Sequence, residues 1–89
     1  MTVHLPGDLA HEFGAPAHHI TTAENLNALL QELDRQYPGM ANWIAEVNGS
    51  VRQHLSVFVD GRRLEPTAAL TTSLAHAQEV WILRAVSGG

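Results

Sequence analysis

With 89 residues, five arginines, no lysine and no cysteine, the chain has room for one domain that must hold by packing alone. A fold of this size buries roughly 60–65% of its unfolded surface, and neither a disulfide nor a thiolate metal site can add to that. Nine acidic residues leave a net charge of −4, which argues against a binder of phosphate backbones and favours a basic protein partner.

No run approaches about 18 apolar residues, and residues 1–15 contain no Lys or Arg to begin a secretory signal. The expectation is a soluble cytoplasmic protein. Without lysine, the chain cannot form lysine-linked chains of itself.

Thr2-Val-His-Leu5 alternates polar and apolar, so Val3 and Leu5 fall on one face of a first strand that Pro6-Gly7 ends. Residues 6–16 read as a loop anchored by Phe13. Residues 17–21 read as a second strand with Ile20 pointing inward, which makes an N-terminal hairpin with a long turn. Thr22 is the expected N-cap of a helix whose Leu26, Leu29, Leu30 and Leu33 fall at i, i+3, i+4 and i+7, with Tyr37 one turn further on. Glu24 suits the positive end of that helix. Pro38-Gly39 stops it, and Met40, Trp43, Ile44 and Val47 repeat the spacing over a shorter helix ended by Asn48-Gly49.

From His54 to Asp60 the alternation returns, with Leu55, Val57 and Val59 on one face and Ser56 and Phe58 on the other. Asp60-Gly61 signals a tight hairpin into Arg62-Arg63-Leu64. Residues 65–78 are turn-rich and pinned by Leu70 and Leu74. A final strand at 79–86 closes the order β-β-α-(α)-β-β-β. This is an α+β domain in which one main helix and a short second one cover one face of a mixed sheet of four to five strands. Leu29, Leu30, Leu33, Val57, Val59, Val80 and Ile82 are the expected core.

The last strand runs into Ala85-Val86-Ser87-Gly88-Gly89, where side chains shrink to nothing. Two glycines leave φ and ψ free and the chain thin. The expected division is a domain at 1–85 and a flexible tail at 86–89, able to carry an α-carboxylate into a narrow site on another protein.

The order of elements with a diglycine after the last strand resembles the ubiquitin-like β-grasp fold. More narrowly it resembles the ThiS/MoaD superfamily of prokaryotic sulfur carriers, on Thr22 to Leu33 with Tyr37-Pro38, the Val57 to Gly61 hairpin, Leu74 before Glu79-Val80, and Ala85 to Gly89. Two positions depart from that pattern. His76-Ala77-Gln78 stands where these families usually carry an Asp-Gly-Asp type turn, and Arg84 stands where the tail commonly has proline. The resemblance implies that Gly89 is the reacting residue. Its carboxylate would be adenylated by an E1-like adenylyltransferase using ATP and magnesium, then converted by a sulfur donor to a thiocarboxylate that supplies a sulfur-accepting biosynthetic enzyme. The chain would be a carrier and no enzyme, binding no cofactor itself. It has no Walker-type loop and no cysteine nucleophile, so the chemistry falls to partners.

Two other classes of function fit the same chain: a ubiquitin-like covalent modifier joined through Gly89 to a target lysine, and a non-covalent β-grasp interaction module with an idle diglycine. A metal site is not expected. Pro6, Gly7, Gly14 and Pro16 interrupt any helix that would gather His4, His11 and His18, and His18 and His19 face opposite sides of a strand. If Val57, Val59, Val80 and Ile82 face the helix, period two sends Phe58, Trp81 and Leu83 to the open face as a partner-binding patch of roughly a few hundred Å². Arg84 would belong to this patch, with Arg52, Arg62 and Arg63 at its border.

Overall fold

The computed structural model describes residues 1–85. Strand β1 (Thr2–His4) leads through helix α1 (Gly7–Phe13) to β2 (His18–Ile20), and helices α2 (Leu26–Gln36) and α3 (Met40–Ile44) follow. The hairpin β3 (Leu55–Val59) and β4 (Arg62–Arg63), a 3₁₀ turn at Ala69–Thr71, and β5 (Glu79–Arg84) complete the chain. The sheet order is β2-β1-β5-β3-β4, with β1 and β5 parallel and the other pairs antiparallel. Val3, Leu55, Val57, Val80 and Ile82 meet Leu26, Leu29, Leu30, Leu33, Met40 and Ile44 in one core. Of the seven expected core residues, only Val59 is less than fully buried.

Segment 6–16 corrects the sequence reading: it is mostly helix, not loop. Pro6 opens α1, and Gly14 at φ 64° closes it. The Gly14 and Ala15 amides return to the carbonyls of His11 (3.1 Å) and Ala10 (2.8 Å), which is how a left-handed glycine satisfies the last carbonyls of a helix. Burial of Leu9 and Ala10 holds this short helix to the domain.

Ile20 is a second correction. It pairs with Thr2 while His19 pairs with Val3, so the core-facing position of β2 goes to His19 and Ile20 is 79% exposed. Register, set by Val3, overrides side-chain polarity here. His19 packs edge-on against Tyr37.

The cap of α2 is Asn25, not Thr22. Its side chain accepts from the Ala28 amide at 2.8 Å. The helix starts later than expected because Glu24 and Asn25 pair with another segment: the Glu24 carbonyl takes the Leu74 amide at 2.7 Å, and Asn25 bridges Ser73. Helix α3 ends early for a similar reason. Ala45 is extended and bridges Val51, which turns the chain back and leaves Val47 98% exposed at the tip. The start of α3 is set by Asp34, whose carboxylate accepts from the Gly39 and Ala41 amides. Gly39 itself sits at φ 98°, with Phe13 3.6 Å from where a Cβ would stand.

The hairpin forms as expected. Asp60 and Gly61 both have positive φ, 48° and 85°, which matches the twist of the strands they join. The Asp60 carboxylate also accepts from the Gln78 and Glu79 amides. That cross-link organises the His76-Ala77-Gln78 turn.

Candidate functional site: the outer sheet face and the root of the tail

On the face of the sheet away from the helices, one row of side chains crosses all five strands. His18 pairs with His4, His4 with Trp81, Trp81 with Phe58, and Phe58 with Arg63. The His4 ring stacks on Trp81, centroids 3.7 Å apart and planes 11° from parallel. Leu83, opposite Ser56, stands in the next row. Trp81 is 38% exposed and Leu83 40%, while Phe58 is half-buried between its neighbours. Alternation along β3 and β5 therefore brings Phe58, Trp81 and Leu83 onto one open face.

The same row brings together two histidines that sequence spacing alone left apart. His4 Nδ1 lies 2.8 Å from His18 Nδ1, and His4 Nε2 lies 3.1 Å from Glu79 Oε1. With Nε2–H of His4 donating to Glu79, its Nδ1 accepts from Nδ1–H of His18, so one tautomer satisfies both contacts. His11 sits exposed on α1, outside this pair. Among the described residues, no three His, Cys, Asp or Glu side chains converge as metal ligands, and no helix is long and apolar enough to cross a membrane.

Arg84 does not join Phe58, Trp81 and Leu83. It pairs with Leu55, so alternation puts it on the helix side of the sheet with Val80 and Ile82. There it donates to the Asp8 carboxylate through Nε and a terminal nitrogen and lies over the Trp43 ring, 5.3 Å from its centroid. The hydrogen bond from Arg84, ahead of its Coulomb attraction, holds the Asp8 carboxyl below the ordinary aspartate value despite the opposing effect of desolvation. Trp43 meets the edge of His54 at 5.2 Å, and the Ala85 amide donates to the His54 carbonyl at 2.9 Å. No sequence signal assigned a role to Asp8 or His54, and helical spacing placed Trp43 only in the apolar stripe of the second helix. Only the i, i+4 pair Leu9 and Phe13, between Pro6 and Gly14, signalled the helix that carries Asp8. Val86, Ser87, Gly88 and the expected reacting residue Gly89 lie outside the described residues.

A profile of the ThiS family matches residues 3–89, nearly the whole chain and through the diglycine. The chain belongs to the ThiS family. The sulfur carrier protein CysO of Mycobacterium tuberculosis is 24% identical over 91 aligned positions, covering 100% of this chain and 98% of that protein. The crystal structure of M. tuberculosis CysO superposes with a TM-score of 0.82 at 23% identity, over 96% of this chain and 98% of that one. The Amycolatopsis orientalis BexX/CysO complex contains a chain that matches at TM-score 0.82 and 17% identity, over 99% and 98%. SAMP1 from Haloferax volcanii matches at 0.67 and 22%, over 100% and 98%. The fold of this ThiS family member is thus the ubiquitin-like β-grasp.

Proposed function

We propose that this ThiS family member is a sulfur carrier whose Gly89 carboxylate is the cargo site. The observation that carries the reading is the family match over residues 3–89, a span that takes in Gly88 and Gly89. Full-length similarity to curated CysO carriers supports it. In the proposed cycle an E1-like adenylyltransferase joins the Gly89 carboxylate to the α-phosphate of ATP, with magnesium, and pyrophosphate leaves. A sulfur donor then displaces AMP from the mixed anhydride, leaving a thiocarboxylate that surrenders its sulfur to an accepting biosynthetic enzyme. The chain supplies a carboxylate on a thin arm and a surface to hold; it is a protein substrate and no catalyst.

The open face with Phe58, Trp81 and Leu83 is the proposed docking surface. Apolar aromatic area in the middle of a sheet and charged Arg63 at its side give the apolar centre and polar border typical of protein interfaces. The CysO held in complex with BexX is a precedent for docking by this fold.

The reading is tested by ATP–pyrophosphate exchange with an E1-like adenylyltransferase of the source organism. The parent chain should support exchange. Variants lacking Gly89, or carrying one residue beyond it, should not, while keeping the parent's circular dichroism spectrum. Exchange by the extended variant without prior trimming would refute a role for this carboxylate.

A further inference from the structure

Three elements converge where the described chain ends. Arg84, the last residue of β5, reaches Asp8 on α1 and lies over Trp43 on α3. Trp43 is braced by His54, just before β3, and the Ala85 amide is bonded to the carbonyl of that same His54. Arg84 is about half exposed and adds little to the core, which ends one inward position earlier at Ile82. Its contacts stand where the backbone leaves the sheet, beside the pairing of Arg84 with Leu55 and the bond from Ala85 to His54.

We propose that Asp8, Arg84 and Trp43 form a clamp that positions the root of the tail for presentation of Gly89. The proposal rests on the carrier reading above and assigns Arg84 to positioning instead of to the open-face patch. From Ala85, four further residues can carry Gly89 at most about 14 Å. Loss of the clamp that also opened the pairing of Arg84 with Leu55 and of Ala85 with His54 would lengthen that arm to about 20 Å, and the volume open to the carboxylate would at most roughly triple. For a carboxylate that must enter a site at a set distance from the docked domain, the effective concentration falls in the same proportion. Guanidinium is suited to this post because it can donate to a carboxylate from two nitrogens while its plane rests on an aromatic ring.

The test uses Asp8→Ala, Arg84→Ala and the exchanged pair Asp8→Arg with Arg84→Asp, all in the full chain. In the free protein, hydrogen exchange of the Ala85 amide should accelerate by up to about fivefold in either single variant, as loss of a half-exposed ion pair allows, with the core amides of β5 unchanged, and should recover in the exchanged pair. In ATP–pyrophosphate exchange with the E1-like adenylyltransferase, kcat/KM should fall by up to about threefold in the single variants. Affinity for the enzyme, measured without ATP, should stay at the parent value, a split that loss of docking would not produce. The exchanged pair should regain activity.

Unaltered Ala85 exchange in both single variants, or a freed Ala85 with parental kcat/KM, overturns the clamp. If the parent itself supports no pyrophosphate exchange, the carrier reading fails and the clamp's role in activation falls with it. Those two failures are told apart by the parent alone.

Discussion

Trp81→Ala tests docking by the open face. Trp81 is 38% exposed, so of the roughly 250 Å² an indole side chain can bury, about 95 Å² remains for a partner to cover. At about 25 cal/mol/Å² this is worth about 2 kcal/mol, or roughly a thirtyfold rise in Kd on truncation. The free domain depends on the side chain as well, since the other roughly 155 Å² is already covered by its neighbours, worth at most about 4 kcal/mol by the same conversion. The side chain stacks on His4 and pairs with Phe58, but it lies outside the core, and an aromatic pair contributes about 1 kcal/mol beyond its area. Isothermal titration calorimetry against the E1-like adenylyltransferase gives the first number and circular dichroism melting the second. The expected result is a Kd raised about thirtyfold, measured at a temperature well below the lowered Tm of the variant. A folded variant that binds as the parent does would refute the open-face argument and move recognition elsewhere on the domain.

Leu29→Ala empties a site that is 1% exposed, at an expected cost of about 2–5 kcal/mol, a large share of the stability of an 89-residue domain, read by urea denaturation. Asn25→Ala removes the acceptor for the Ala28 amide and should cost about 1 kcal/mol, whereas Thr22→Ala should cost much less in the same denaturation series. The Asp8 carboxyl should titrate below the ordinary aspartate value of 3.8 because Arg84 favours its charged form. A depressed folded-state pKa stabilises above the unfolded value and is lost as pH falls through the folded one. The Asp8–Arg84 contact should therefore persist from neutral pH to below 3.8 and open only as pH falls through the lowered folded-state value, as followed by the Asp8 carboxyl carbon shift in NMR.

Long periodic segments were legible in the sequence because burial dictates them. Leu26 to Leu33 made a helix with its stripe in the core, and the alternation of 55–59 and 80–83 set both faces of the central strands. Asp60-Gly61 specified its turn through the positive φ it tolerates. What escaped were features decided by partners distant in sequence. Thr22 lost the cap to Asn25 because Ser73 and Leu74 claimed the backbone before it. Ile20 lost its inward place to register with β1. In α1, seven residues are too few for periodicity to show. On the site side, alternation placed Phe58, Trp81 and Leu83 together. It also put Arg84 on the other face, a consequence of period two that the family comparison of tails obscured. The His4–His18 pair exists only through the β1–β2 register, which no spacing in the chain reveals.

The central claim is that Gly89 carries sulfur. Its most direct test is intact-protein and C-terminal peptide mass spectrometry after incubation with the E1-like adenylyltransferase, ATP, magnesium and a sulfide donor. The expected product is a chain in which one oxygen of the Gly89 carboxylate has been exchanged for sulfur, dependent on ATP and lost on alkaline hydrolysis. A branched conjugate between Gly89 and a target lysine would show a protein modifier instead, and an unaltered Gly89 under conditions that turn over a known carrier would contradict the account.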